Sequence, residues 1–250
     1  MKKNIILGII LIIAIGAFYF FTKEEVIAPV VTDTTNEEKV IENTEDSNPI
    51  ELCFTKFGEH DENGFYDKYT LRMTLDGEKD TGELKLLPAE KDALVGKFEG
   101  TVGPVDRMTM ARTANLIWDA EGEGMNAKQE LKIIFAEGTA SIGFGEMIDR
   151  GNGVYVYKNP TKVDYSFYLT DTSCLDLDER ESVEGYLWSN IGTLSPVKSV
   201  LGGSWYVVSM DVDLEKNSGA VTYEDGHIQE KRDFTYTTNW NREVESLTIN

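Results

Sequence analysis

Residues 68 to 76 read KYTLRMTLD, and this stretch decides the fold class. Polar side chains alternate in it with four apolar ones, at Tyr69, Leu71, Met73 and Leu75. An alternation with a period of two is typical of an antiparallel strand that buries one of its faces. Asp76-Gly77 follows directly and favours a tight turn. The stretch therefore predicts one arm of a β-hairpin.

Segments of the same kind recur through residues 50–176. Further strands are predicted at residues 82–87, 94–102, 113–118, 130–135, 139–146, 153–157 and 163–169. About eight short strands separated by turn residues predict a mainly β fold, with an antiparallel β-barrel or a sandwich over residues 50–176. Short linkers favour the up-and-down barrel, because they allow consecutive strands to pair as hairpins.

A helical pattern interrupts the β pattern at residues 178–196. Val183, Leu187 and Ile191 recur at helical spacing, Ser182 is a candidate N-cap, and Pro196 ends the segment. This pattern predicts an amphipathic helix of about twelve residues. Four strands are then predicted at residues 203–213, 219–223, 227–237 and 244–249. Residues 177–250 are thus expected to form a small α+β domain, in which the helix packs on a four-stranded antiparallel meander.

The N-terminus carries seventeen residues without a charge, IILGIILIIAIGAFYFF at positions 5 to 21, after Lys2 and Lys3. A run of this length predicts a transmembrane helix or signal anchor over residues 1–22, with the lipid bilayer as its partner. The two lysines favour the cytoplasmic side, so the later domains are expected to be extracytoplasmic, on a single-pass membrane protein. A cleaved signal peptide and a secreted product remain the alternative.

Residues 23–49 separate this segment from the β region. They contain eight acidic and two basic residues and no aromatic ones. Because such a composition buries little apolar surface, we expect a disordered acidic stalk. The whole chain has a formal charge of −20, which opposes contact with phosphate backbones. Nucleic acid is therefore not an expected partner.

The chain has two cysteines, Cys53 and Cys174. In a chain predicted to face an oxidising compartment, an even number of cysteines indicates a disulfide. Only one pairing is possible within a monomer. Two buried free thiols are the alternative.

The sequence contains no recognisable catalytic constellation. Walker A, HExxH and GxGxxG patterns are absent. We therefore predict no catalytic, cofactor-binding or metal-binding residues, and no enzymatic activity. An envelope hydrolase that uses Asp119, Glu121 or Glu123 stays open as an alternative. The chain also contains eleven tyrosines and four tryptophans, Trp118, Trp188, Trp205 and Trp240. These aromatic residues are expected either to pack in the core or to line a barrel mouth.

Four segments carry a resemblance: LLPAEKD at 86–92, FGEM at 144–147, LGGSWYVVS at 201–209 and YEDGHI at 223–228. With them the chain resembles an uncharacterised group of bacterial membrane-anchored or lipoprotein-like proteins, a group that implies no activity. In architecture, residues 50–170 are also similar to lipocalin- and avidin-like barrels. The sequence thus predicts a membrane-tethered, non-enzymatic binding module for a protein or small ligand at a bacterial cell envelope. A lipocalin-like barrel with a small ligand inside it is the alternative.

Overall fold

The computed structural model of the protein describes residues 48–250, with the exceptions of Asn63, Glu90 and Glu123. The predicted membrane segment 5–21 lies outside the described residues, as does the predicted stalk up to residue 47. All described residues belong to one compact unit. Within it, a β-barrel, a central α-helix and a second β-sheet follow one another along the chain.

Eight antiparallel strands close into the barrel. They are β1 Ile50–Phe57, β2 Lys68–Asp76, β3 Lys79–Leu87, β4 Leu94–Val102, β5 Arg112–Gly122, β6 Met125–Ala136, β7 Thr139–Phe144 and β10 Asp164–Thr172. Each strand pairs with the next, β7 pairs with β10, and β10 pairs with β1 to complete the circle. The predicted barrel is confirmed, and the sandwich alternative is wrong.

A short hairpin interrupts the up-and-down order between β7 and β10. It consists of β8 Met147–Asp149 and β9 Val154–Tyr157, which pair with each other. Strand β9 also pairs in parallel with β6 at Lys128 and Gln129. A single 3-10 turn at Pro160–Lys162 then leads into β10. Because β8 and β9 lie outside the closed circle, they extend one end of the barrel without adding strands to it.

The interior of the barrel is filled by apolar side chains. Leu71, Met73, Leu84, Ile133 and Leu169 are among its fully or almost fully buried residues, as the alternation in β2 predicts. Close strand approach also requires a glycine at one inward position. A Cβ on Gly82 would lie 1.9 Å from the Arg72 carbonyl oxygen and 2.5 Å from the Phe98 ring. The ring therefore occupies the space that a side chain at residue 82 would need.

The helix, α1, spans Cys174–Leu194 and is longer than the sequence pattern predicts. Its N-cap is Ser173, so the predicted start at Ser182 is wrong. Ser182 instead lies within the helix, where its hydroxyl accepts a hydrogen bond from the Val244 amide at 3.0 Å. The predicted end before Pro196 is confirmed.

Opposite faces of α1 contact different parts of the protein. The apolar face, with Val183, Leu187 and Ile191, joins the core of a four-stranded sheet. Its strands are β11 Tyr206–Asp213, β12 Ser218–Glu224, β13 Gln229–Thr238 and β14 Val244–Ile249, and they form the predicted antiparallel meander. The other face is acidic and contacts β2 and β3 of the barrel. Four ion pairs form there: Asp178 with Arg72, Glu181 with both Arg72 and Lys85, and Glu184 with Lys68.

A disulfide joins the barrel to the helix. Cys53 of β1 is bonded to Cys174, the first residue of α1, and their Cα atoms are 5.2 Å apart. This is the pairing that the cysteine count predicts, whereas β1 itself is not among the predicted strands. The division of the chain at residue 176 into two domains stays a prediction.

Candidate functional site

Closure of the barrel brings four connections together at one end. Four strands end there, and the next strand of the barrel begins there in each case. The strands that end there are β1, β3, β5 and β7. We call this end the upper mouth; its main connections are the loops 58–67 and 88–93 and the segment 145–163. The opposite end, where the described chain enters at residue 48, is the lower mouth. The upper mouth therefore lies at the opposite end of the barrel from the start of β1.

The upper mouth holds a cavity of about 530 Å³ with an aromatic wall. Tyr69 of β2 and Phe167 of β10, which pack against the barrel core, meet edge to face with ring centroids 5.0 Å apart. Phe144 at the end of β7 packs on Phe167 in the same manner at 5.6 Å. Phe65 and Tyr66 from the loop 58–67 complete the aromatic lining. These rings lie at the end of the barrel interior and leave an open, apolar hollow.

Carboxylates surround this hollow. Four of the described lining residues are acidic, Glu59, Asp61, Asp67 and Asp92, whereas Lys91 is the one cation among them. Asp67 also holds two of the loops together, because its Oδ1 accepts a hydrogen bond from the Ala89 amide at 2.9 Å. The described rim thus combines an apolar floor with an excess of negative charge.

The two tyrosines of the wall stay neutral at physiological pH. Burial and the neighbouring Asp67 carboxylate raise the pKa of Tyr69 to about 12. Burial, together with the negative charge of Glu184, also raises the pKa of Tyr66 to about 12. Since neither phenol ionises near pH 7, the negative charge of the hollow comes from its carboxylates.

The loop 58–67 is held in place on both sides. The Gly58 amide donates to the Asp67 carbonyl at 2.8 Å, which closes the loop at its base. The His60 ring packs on the Tyr66 ring with centroids 4.3 Å apart, and its Nε2 lies 4.0 Å from Asp211 Oδ1 of β11. The described residues of the loop therefore link the barrel rim to the second sheet.

Three of the rings at this site come from distant parts of the sequence. Tyr69, Phe144 and Phe167 carry no motif, and only the closed barrel brings them together. The tryptophans lie elsewhere: Trp118 is buried in the barrel, Trp205 packs on Tyr223, and Trp188 and Trp240 are exposed. The sequence feature that could have indicated this site is an aromatic residue at an inward-facing strand position next to a loop, as at Tyr69.

Two of the three acidic residues of the hydrolase alternative lie on the outside of β5. Asp119 and Glu121 are exposed on the same outer face, and Lys128 Nζ lies 3.2 Å from Asp119 Oδ1. Glu123 lies outside the described residues. Asp119 is therefore part of a surface ion pair, in a hollow of about 620 Å³ that Glu83, Glu99 and Lys97 also line.

Comparison with protein-family models, with curated proteins and with solved structures found no match. No helix in the described part of the chain is long and apolar enough to cross a membrane. Within the same residues, no group of three or more His, Cys, Asp or Glu side chains is arranged to hold a metal ion. The candidate site therefore rests on the geometry and charge of the upper mouth.

Proposed function

We propose that the protein is a membrane-tethered, extracytoplasmic binding module of a bacterial cell envelope, without enzymatic activity. Its ligand is a small organic cation with an apolar, preferably aromatic body. The binding site is the upper mouth of the barrel. The observation that carries the proposal is the aromatic hollow at this mouth, with its acidic rim.

The size and lining of the hollow support a small ligand. Small-molecule sites usually enclose about 300–1,000 Å³, are mainly apolar, and carry a few polar groups that fix orientation. The cavity of about 530 Å³ lies within this range. The barrel interior below it is already filled by side chains such as Leu71 and Leu84, which are fully buried. A ligand therefore fits at the mouth of the barrel. The lipocalin-like alternative instead requires a ligand deeper inside, where side chains already fill the space.

The charge of the hollow supports a cation over an anion. A positive group gains from the carboxylates of the rim and from the faces of aromatic rings. The Phe167 ring already holds a cation, because Lys56 Nζ lies 4.6 Å from its centroid, so the positive group of the ligand is expected at the acidic rim. An anionic ligand of the same shape would meet Glu59, Asp61, Asp67 and Asp92 and would be repelled.

The disulfide supports the extracytoplasmic location. Cys53 and Cys174 form a bond of a kind that persists in oxidising compartments and is rare in the cytosol. The predicted anchor at residues 5–21 places the folded region outside the membrane, in agreement with this chemistry. The first described residues lead into β1 at the lower mouth, at the opposite end of the barrel from the proposed site.

The proposal is tested with three ligands that share a phenyl ring on a four-carbon chain and carry a positive, a neutral and a negative end group: 4-phenylbutylamine, 4-phenylbutan-1-ol and 4-phenylbutanoate. Residues 46–250 form one compact unit that contains both apolar cores, so this fragment is expected to fold alone. Isothermal titration calorimetry should show the amine binding about tenfold more tightly than the alcohol, a difference of about 1.4 kcal/mol. The anion should bind most weakly, and added salt should reduce the preference for the amine.

Matched variants locate the binding site. Phe144→Ala should weaken binding of the amine, whereas Tyr155→Ala should not, although both side chains are 43% exposed. The double substitution Glu59→Gln/Asp92→Asn should remove the preference for the cation. Glu137→Gln/Asp171→Asn removes the same charge at the lower mouth and should leave the preference intact. Equal affinities for amine and alcohol, or equal effects of the two alanine variants, would contradict the proposal.

A further inference from the structure

The lower mouth carries an exposed apolar loop, residues 103–111, between β4 and β5. We call it the lower-mouth loop. Met108 at its tip is 95% exposed, and Met110 and Val105 are also exposed. Ile50, the first residue of β1, adds a further exposed apolar side chain at the same end of the barrel. Exposed apolar groups gathered at one place in this way are typical of a contact surface.

The loop is built to hold these side chains in solvent. The Asp106 carboxylate accepts hydrogen bonds from the amides of Met108 and Thr109, at 2.8 and 2.9 Å. The amide of Met110 donates to the Asp106 carbonyl at 2.8 Å, and the Asp106 amide donates to the Ala111 carbonyl at the same distance. The apolar tip is therefore part of a hydrogen-bonded turn with a fixed direction.

Met110 has a backbone conformation that methionine rarely adopts. Its φ is +58°, in the left-handed region where glycine and asparagine are usual. A glycine at this position would relieve the strain and remove an exposed apolar side chain. The fold therefore keeps an apolar side chain exposed at a position where its backbone conformation is unfavourable.

Behind the loop the apolar surface continues into the lower mouth. A cavity of about 390 Å³ lies there, lined by Val105 and Met110 of the loop and by Leu52, Phe54 and Phe135 of the barrel. Two exposed acids, Glu137 and Asp171, and the half-buried Arg112 also line it. The loop is thus the projecting edge of a larger apolar surface that has a mixed polar border.

The start of the described chain indicates which partner this surface faces. Residue 48 immediately precedes β1, at the lower mouth, and the predicted bilayer segment 5–21 lies upstream. The connecting residues 22–47 can span at most about 90 Å when fully extended. They permit contact between the lower mouth and the bilayer but do not enforce it. A short tether also gives an effective concentration on the order of millimolar, so weak contacts are sufficient.

We propose that the lower-mouth loop inserts Met108 and Met110 into the interface of the bilayer that holds the N-terminus. The partner is a lipid surface, and the contact is apolar because the charges of Asp106 and Arg107 cancel within the loop, whereas Glu137 and Asp171 behind it oppose anionic headgroups. The barrel then stands on the membrane through its lower mouth, with the upper mouth directed outward. This inference rests on the tether in the proposed function and does not depend on the ligand.

A single labelled cysteine tests the insertion in the full chain. Cys53 and Cys174 are bonded to each other, and no other cysteine is present, so Met108→Cys provides one reactive thiol. Labelled with an environment-sensitive NBD fluorophore, the full chain is placed in phosphatidylcholine nanodiscs. Its emission should rise about twofold and shift to the blue relative to the labelled 46–250 fragment free in solution. Trp240→Cys is the matched control, since Trp240 is 88% exposed in the turn between β13 and β14.

The outcomes separate the contact from the tether. Co-elution of the full chain with nanodiscs, but not of the 46–250 fragment, reports the tether alone. An NBD response at position 108 and none at position 240 supports the insertion, and it should persist at high salt but weaken in phosphatidylglycerol nanodiscs. Co-elution without a response at position 108, or with equal responses at both positions, overturns the insertion and leaves the tether standing. Failure of the full chain to co-elute overturns the tether and the insertion together.

Discussion

Lys68 of β2 donates a hydrogen bond to Glu184 of α1, with 2.5 Å between Nζ and Oε2. Both side chains are largely buried between the barrel and the helix, at 22% and 11% exposure. A largely buried ion pair contributes more to the free energy of unfolding than an exposed one, because water screens it less. The pair therefore ties the acidic face of α1 to the barrel.

A double-mutant cycle measures this connection. Lys68→Met, Glu184→Gln and the double variant should give a coupling free energy of about 1–3 kcal/mol in urea unfolding. The pair Lys158 and Glu146, 2.6 Å apart but 54% and 69% exposed, is the control. Its coupling should stay below about 1 kcal/mol. Equal coupling in the two cycles would show that burial at the helix does not strengthen the first pair.

Loss of the disulfide should lower stability strongly. Cys53 and Cys174 are 121 residues apart in sequence, and closure of a loop of this length stabilises by about 4–5 kcal/mol in the chain-entropy model. Cys53→Ala/Cys174→Ala should reduce the free energy of unfolding by a comparable amount. Dithiothreitol should destabilise the wild type similarly and leave the variant unchanged. A loss below about 1 kcal/mol in both experiments would refute this account of the disulfide.

Asp80 should make the stability of the barrel depend on pH. The residue is 0% exposed, and neither carboxylate oxygen has a hydrogen-bond partner of good geometry in the described part of the chain. Burial raises the pKa of Asp80 to about 7, although the Thr74 main chain and the charge of Arg112 oppose the rise. Because the folded pKa exceeds the ordinary value of about 3.8, protonation stabilises the fold. This contribution is complete below pH 3.8 and is lost as the pH rises through about 7.

The substitution Asp80→Asn isolates this effect. The variant should gain about 1–3 kcal/mol relative to the wild type at pH 8, where the wild-type carboxylate is charged. The gain should shrink towards pH 4. Chemical unfolding at pH 4, 6 and 8 measures the difference at each pH, which cancels the contributions of other titrating groups. A difference that does not vary with pH would argue against a buried titrating carboxyl at residue 80.

Glu179 depends on two partners in the second sheet. This carboxylate is 2% exposed, and it accepts hydrogen bonds from the Tyr236 hydroxyl at 3.0 Å and from Arg242 Nη1 at 2.7 Å. Arg242→Met should cost about 1.5–3 kcal/mol, because it leaves a buried charge with one partner fewer. Arg150→Met, on the exposed β8–β9 turn, should cost less than about 0.5 kcal/mol. Similar losses in thermal unfolding would contradict the assigned role.

The strands with clean alternation could be predicted from the sequence almost to the residue. β2 and β4 have the bounds that their patterns indicate, because each strand buries one face in a single core. The start of α1 could not be predicted. Residues 174–181 carry two acids, Asp178 and Glu181, that pair with basic residues of the barrel, so this part of the helix lacks an apolar stripe. Partners about 100 residues away in sequence leave no local pattern.

The candidate site was predicted even less well than the helix. The sequence indicated that aromatic residues were available for a barrel mouth, but it did not select Phe144 or Phe167. Their proximity depends on the pairing of β10 with β7. Because the hairpin of β8 and β9 lies between these two strands in the sequence, their pairing cannot be predicted from neighbouring segments. The acidic rim likewise comes from two loops that meet only when the barrel closes.

The most direct test of the proposed function is an NMR measurement of where the cation binds. The 46–250 fragment with labelled phenylalanine and tyrosine is saturated with 4-phenylbutylamine, and intermolecular NOEs from the phenyl protons are recorded. We predict NOEs to the rings of Phe144, Phe167 and Tyr69 at the upper mouth. NOEs confined to Phe54 and Phe135 at the lower mouth, or no NOEs from a bound ligand to any ring, would contradict the proposed function.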